Sequence, residues 1–330
     1  MKGAAVEMAT ENDMTEVLAL LNQSFSSVQR SAGLERGSRF WEWKYRESPF
    51  GPAAVQIVRI DGRIAAAGCL WPMSLIVGDK KLRALQPCDT AVHPDFRRRG
   101  LFGYLNRARK EFAVERGVDV VFNFPNENSL PGYLKAGWTY VGRVPWLVRL
   151  MNPLAVLRDR RNPGQSVALD VPVEYRFERD LVYDVSSPEL KWSDFISIAR
   201  PPGFFKWRFI ERPNRQYGIV RSKSDMDGLA VFTLSRKESG LIEMVIVDFL
   251  CGPDSLPSLL DEVLKCAKRI DAGFIAFMKP QSFALWPFYR RAFFPMREKN
   301  LAVLSIASNL PAQITDMSSW DLRAAMHDSI

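Results

Sequence analysis

The sequence predicts an α/β protein built from two tandem copies of one unit, each a mixed, mostly antiparallel sheet flanked by helices. Short apolar runs bounded by Gly, Pro, Asn and Asp alternate with apolar stripes at helical spacing. A strand, a basic glycine-bearing turn and a helix follow one another over residues 89–103. Aromatic and proline anchors of the first half recur in the same order in the second, the signature of an internal duplication.

In the first half a strand is expected over 6–10, and Asn12 or Asp13 can cap a helix that buries Val17, Leu18 and Leu21. Phe40, Trp41, Trp43 and Tyr45, ended by Pro49, read as a buried helix face. Strands over 55–60 and 63–70 meet at Asp61-Gly62, a hairpin signal, and a second pair over 71–77 and 81–85 meets at Gly78-Asp79. A short strand running to Val92 then turns at His93-Pro94-Asp95. Arg97, Arg98, Arg99 and Gly100 lead into a helix with Leu101, Leu105, Ala108 and Phe112 on one face, stopped by Gly117. A buried strand over 118–124, a short helix within 126–138 and final strands over 141–151 complete a first domain, 1–151.

Residues 158–166 are polar, broken by Pro163 and Gly164 and without an apolar period, so 152–172 reads as a linker. The second copy is expected over 173–309. Phe205, Trp207, Arg208 and Phe209 repeat Trp41, Trp43, Lys44 and Tyr45; Pro253-Asp254 repeats Pro94-Asp95; Pro287 to Phe294 echoes Pro131 to Trp138. The second loop, 251–258, has no arginine and no glycine pair leading into its helix, so this copy reads as degenerate and Tyr289 as structural. Residues 310–330 form a C-terminal tail.

Composition narrows the chemistry. A net charge of +8 is spread along the 330 residues, which suits a solvated basic surface better than a nucleic-acid face. No apolar run is long enough to span a bilayer. Cys69, Cys88, Cys251 and Cys266 form no C-x-x-C pair, and a reduced, cytoplasmic protein is the simplest account. With two histidines, His93 and His327, a His-rich zinc site is not expected, nor any other metal. Catalysis must rest on carboxylates, tyrosine, backbone donors or a co-substrate.

Glycine at a helix entrance lets backbone N–H groups approach an anion, and the helix's positive end adds to the field of the arginines. Residues 97–103 are therefore a sensible pyrophosphate cradle; a basic turn capping a surface helix is the plainer reading. Further on, Asn126, Tyr133 seven residues later and Gly137-Trp138 form a second pattern. Together the two resemble the GNAT superfamily of acyl-CoA-dependent N-acetyltransferases, whose loop reads R/Q-x-x-G-x-G/A. The chain departs from that loop at its second small residue, Phe102, with Gly103 one place later.

The resemblance implies acetyl-CoA as co-substrate, paired along Thr90, Ala91 and Val92. It implies a pyrophosphate wrapped by Arg98, Arg99, Gly100, Leu101, Phe102 and Gly103, with Arg97 touching it or orienting the loop. It implies Asn126 on the pantetheine arm and Tyr133 as general acid for the departing thiolate, although a packed aromatic with a surface hydroxyl fits the residues too. Asp89 is the best-placed candidate base, or only a strand-end turn residue. Water chains, or the C-terminal carboxylate as in the enhanced-intracellular-survival acetyltransferases that the chain also resembles, are alternatives. The expected activity is acetyl transfer to a primary amine of a small molecule, such as an amino sugar. The rivals are a Fem-type transferase using charged tRNA, which the R-x-x-G loop argues against, and a non-catalytic CoA-binding scaffold. Nothing in the sequence specifies an oligomer.

Overall fold

The computed structural model describes residues 5–25, 36–161, 164–177, 195–222 and 228–327. The first half opens with β1 (Val6–Met8) and α1 (Met14–Ser24), which buries Val17, Leu18, Leu20 and Leu21. The aromatic run is α2 (Ser38–Trp41) continued by a π-helical turn (Glu42–Arg46). Then come β2 (Ala54–Ile60), β3 (Arg63–Val77) and β4 (Lys80–Val92). Where two strands were expected over 63–77, β3 is one: Pro72 lies past the end of the β2 pairing at Leu70, where no ladder bond is needed from it on that side. After β4 come α3 (Leu101–Glu115), β5 (Val120–Asn123), α4 (Leu130–Lys135) and β6 (Thr139–Leu150).

The expected linker is largely regular structure. It holds α5 (Pro153–Arg161) and β7 (Ser166–Leu169), whose pairing with β10 supplies the order that its own sequence lacks. The second half continues with β8 (Ile196–Ile198), a second π-helical turn (Lys206–Ile210), β9 (Gly218–Arg221), β10 (Leu229–Lys237) and β11 (Ile242–Leu250). It closes with α6 (Leu256–Arg269), β12 (Ala272–Met278), α7 (Trp286–Tyr289) and β13 (Phe294–Ser305).

The described strands make one sheet in the order β1-β2-β3-β4-β5-β13-β6-β12-β11-β10-β7, with β8 on β3 and β9 on β10. Only β4/β5 and β11/β12 are parallel. The halves interlock. β13, from the end of the chain, lies between β5 and β6, and β6 lies between β13 and β12. The stretch 1–151 is thus not closed on itself, because one of its neighbouring strands comes from residues 294–305.

Equivalent features face each other across the join. Trp43 Nε1 donates to the Trp207 carbonyl at 2.6 Å and Trp207 Nε1 to the Trp43 carbonyl at 2.7 Å, with the rings stacked 5.4 Å apart. These reciprocal bonds relate the two π-helical turns as approximate symmetry mates. The C-terminal segment is not an appendage either. Trp320, Leu322 and Ala324 to Met326 are buried in the core shared with Trp43, Trp71 and Trp207, and Arg208 Nε donates to the Ala325 carbonyl at 3.0 Å.

Candidate active site

β4 and β5 pair at Ala84/Val120 and Leu85/Val121 and no further. Beyond that point β4 runs on to Val92 and β5 to Asn123, so a wedge opens between two parallel strands at Gln86 and Phe122. β4 also carries a bulge: Ala91 faces Ala67 and Cys88 faces Cys69, which sets Asp89 and Thr90 opposite Gly68, with Asp89 at φ +45°. The bulge turns Thr90, Ala91 and Val92 at the wedge edge away from a regular ladder.

The loop after β4 ends in the entrance to α3. Gly100 caps the helix in the left-handed region (φ +76°), and a Cβ there would meet nothing within 4 Å. Arg98 is left-handed too, at φ +61°. Arg97, Arg98 and Arg99 are exposed; Arg97 Nε donates to the Val92 carbonyl at 3.4 Å, tying the loop to β4, and Arg99 lies over the Phe96 ring. The first-turn amides of Leu101, Phe102 and Gly103 have no carbonyl one turn back. Bare backbone, a helix N-terminus and exposed guanidinium groups fit a pyrophosphate.

Phe102, the departure from the loop pattern, is matched elsewhere. Its ring lies against Gly132, where a Cβ would stand 2.6 Å from Phe102 Cε1, and edge-on to Tyr133 at 5.3 Å. Gly132 makes room for the bulky loop residue.

Tyr133 is 3% exposed between Phe102 and Trp138. The Phe124 amide donates to Asn123 Oδ1 at 2.8 Å, which fixes that side chain so that Nδ2 donates to Tyr133 Oη, also at 2.8 Å. The phenol oxygen accepts from Asn123 and keeps its own O–H to give. Burial raises the phenol above its ordinary range, against the pull of Arg109 and Asn123. Asn126 is exposed, with Oδ1 accepting from the Ser129 amide at 2.9 Å, so it caps the turn into α4.

Asp89 is not placed to be a base. It accepts from Lys44 Nζ at 2.5 Å and from Arg36 Nη2 and Tyr45 Oη at 2.8 Å. Burial alone would raise its carboxyl, but Lys44 and Arg36 hold it well below the usual carboxylate range. A carboxylate so stabilised is a poor proton acceptor at neutral pH. The alternative base, the carboxylate of Ile330, lies outside the described residues. His93 accepts from the Asp95 amide at 3.3 Å, as a turn residue does. Among the described residues no group of three or more His, Cys, Asp or Glu is arranged to hold a metal ion, and no helix among them is long and apolar enough to cross a membrane.

The acetyltransferase (GNAT) domain profile matches residues 5–141, the stretch that holds the wedge, the loop and Tyr133. The chain carries a GNAT acyltransferase domain. No curated protein matches the chain. Solved structures share its fold at low identity. A GCN5-related N-acetyltransferase from Anabaena variabilis superposes with TM-score 0.63 at 12% identity, over 92% of this chain and 73% of that one. Saccharomyces cerevisiae N-myristoyltransferase with bound myristoyl-CoA gives 0.62 at 12%, over 92% and 83%. Eis1 from Mycobacterium abscessus gives 0.56 at 12%, over 92% and 73%.

Around the GNAT site the structure adds residues that sequence reasoning missed. Asn123 reads there as the end of a buried strand, with no pattern to tie it to Tyr133. Gln86 is 1% exposed at the wedge apex, with neither amide atom partnered. The inner face of α3 is Leu101, Leu105, Asn106, Arg109 and Ala113, not the Leu101, Leu105, Ala108 and Phe112 face expected, since the polar pair turns inward. The one available signal was an amphipathic helix whose charged residues crowd more than half its circumference. In the second half, Asp248 on β11 stands five residues before Pro253, as Asp89 does before Pro94, and β11 also bulges beside it. The loop there enters α6 through Ser255 in an ordinary right-handed conformation, and Tyr289 is 36% exposed.

Proposed function

We propose that the chain is an N-acetyltransferase moving an acetyl group from acetyl-CoA to a primary amine of a small molecule, by direct attack, at the first half alone. One observation carries this reading: the wedge between β4 and β5 opens beside the left-handed Gly100 and the Asn123-held hydroxyl of Tyr133. Bound acetyl-CoA supplies an activated acyl carbon and a good leaving group. Thr90, Ala91 and Val92 offer backbone groups to its pantetheine arm, and Asn126 offers its Nδ2–H groups. Arg98, Arg99 and the amides of Gly100 to Gly103 neutralise the pyrophosphate, while Arg97 holds the loop to β4. Alignment of the amine with the thioester supplies much of the acceleration. Tyr133 Oη passes its proton to sulfur as the thiolate departs.

The second half, 173–309, is a degenerate copy of the first: it keeps the π-helical turn and the buried Asp but not the loop. Its contribution is structural, supplying β13 to the catalytic sheet. Buried Trp71, paired across from Gln86, and buried Trp320, against the Phe122 ring, fill the core at the wedge and favour a short acyl group over a long chain such as the myristoyl group of the yeast neighbour's ligand. The retained arginine–glycine loop favours CoA over charged tRNA and over a scaffold without a ligand. Thiol release from acetyl-CoA, measured against amino sugars, aminoglycosides and polyamines, tests the reading. Amine-dependent release that falls by about 10²–10⁴ in Tyr133→Phe is expected. Absence of any acetyl-CoA binding to the wild-type chain contradicts it.

A further inference from the structure

Arg109 is among the largest fully buried side chains, 1% exposed on the inner face of α3. Its hydrogen-bond partners are neutral: Nη2 donates to Thr90 Oγ1 at 2.7 Å and Nη1 to Asn106 Oδ1 at 3.4 Å, while Nε has no partner. Charged groups are rarely buried unless paired. Among the described residues no carboxylate pairs with this one. The fold nevertheless makes room for it, since a Cβ at Gly68, opposite the β4 bulge, would stand 2.0 Å from Nη2. A cation kept buried without a permanent counter-ion suits an anion that forms only during the reaction.

Tyr133 is positioned to become that anion. Phe102, Asn106 and Arg109 lie at helical spacing along α3; Phe102 touches the Tyr133 ring and Asn106 Nδ2 donates to the Phe102 carbonyl at 3.1 Å. From β5, Asn123 reaches the same hydroxyl. After burial, the Arg109 charge is the strongest influence on the phenol and acts in the opposite direction. Cys88 on β4 is the remaining titratable neighbour, and burial keeps it a neutral thiol.

We propose that Arg109 is a positioning residue for proton transfer: held between Thr90 and Asn106, its guanidinium faces the Tyr133 hydroxyl and stabilises the phenolate left when the proton departs. This rests on Tyr133 being the general acid. In that step the N–C bond forms between amine and acyl carbon, the C–S bond breaks with its electron pair on sulfur, and sulfur takes the Tyr133 proton. The phenolate regains a proton from the attacking nitrogen, which is then a neutral amide. Fixed donors aimed at a developing charge need no reorganisation when it appears.

The test replaces Tyr133 with 3,5-difluorotyrosine, whose phenol titrates near neutrality, and follows its fluorine resonance with pH in the full chain. Arg109→Met should raise that titration by about 1–3 pH units, the range for losing an adjacent opposite charge. Arg109→Lys should restore most of it. Arg109→Gln, a second neutral variant, should reproduce the Met result and serves if Met does not fold. With natural Tyr133, Arg109→Met should lower turnover, and it should add nothing in a Tyr133→Phe background. A titration unmoved in both neutral variants overturns the role of Arg109 and leaves the acid assignment standing. Full turnover in Tyr133→Phe overturns both.

Discussion

Tyr133 and Asp89 show how environment assigns roles to residues that look alike as candidates. Tyr133 is buried yet keeps its O–H to give, because Asn123 occupies its oxygen as a donor. Tyr133→Phe keeps ring packing on Phe102 and Trp138, so CoA affinity should stay near wild type while turnover falls by about 10²–10⁴, the usual share of general acid catalysis. Tyr289→Phe is the control and should leave turnover unchanged; steady-state kinetics with calorimetry separate the two. Asp89 is a structural anion binding Lys44, Arg36 and Tyr45. Its carboxyl titrates lower in the fold than in the unfolded chain, so its stabilisation is full above about pH 4 and is lost as pH falls toward the folded value. Asp89→Asn should cost about 3–5 kcal/mol at pH 7 by leaving Lys44 and Arg36 without their buried carboxylate. The variant should also show a shallower loss of stability on the acid side, measured by denaturant unfolding from pH 7 to pH 3.

At the scale of elements, the loop and α3 depend on α4. Gly132→Ala places a methyl 2.6 Å from the Phe102 ring and should destabilise by about 1–3 kcal/mol through overpacking, with Phe102→Leu recovering much of it; thermal melts of the single and double variants test this. These elements were legible because their signals are local: a glycine after arginines at a helix entrance, a stop at Gly117, an Asn–Tyr spacing that spans the turn into one short helix. What was not legible depends on distant partners. Arg109 looks like a solvated charge until Thr90 and Asn106 come beneath it. The span 166–169 has no strand pattern of its own and is ordered by β10. β6 reads as closing the first unit on its own, because nothing in its run states that Val148 pairs with Phe294, and nothing over 294–305 states that Ala302 pairs with Asn123. Trp320 and Leu322 carry no period, so their burial follows from the groove they fill.

Across the whole molecule, strand exchange makes the halves depend on each other. A fragment of residues 1–161 lacks β13 and exposes the β5 edge, so alone it should show little cooperative unfolding. Co-expressed with 164–330 it should form a complex that melts as one unit, read by circular dichroism and gel filtration; a well-folded isolated fragment would contradict the interlocked sheet. Symmetry of scaffold does not imply symmetry of function: among the described residues, the first-half helix is entered through exposed arginines and a left-handed glycine beside an enclosed tyrosine, whereas its second-half counterpart is entered through a right-handed Ser255. Calorimetric titration with acetyl-CoA tests this central claim most directly, on the wild-type chain and on Arg98→Ala combined with Gly100→Glu. The account predicts one site per chain in the wild type. In the double variant affinity should fall by more than roughly tenfold, since a charged hydrogen bond alone is worth about 1.5–3 kcal/mol and a carboxylate would now face the pyrophosphate. Two sites per chain, or undiminished affinity in the variant, would contradict it.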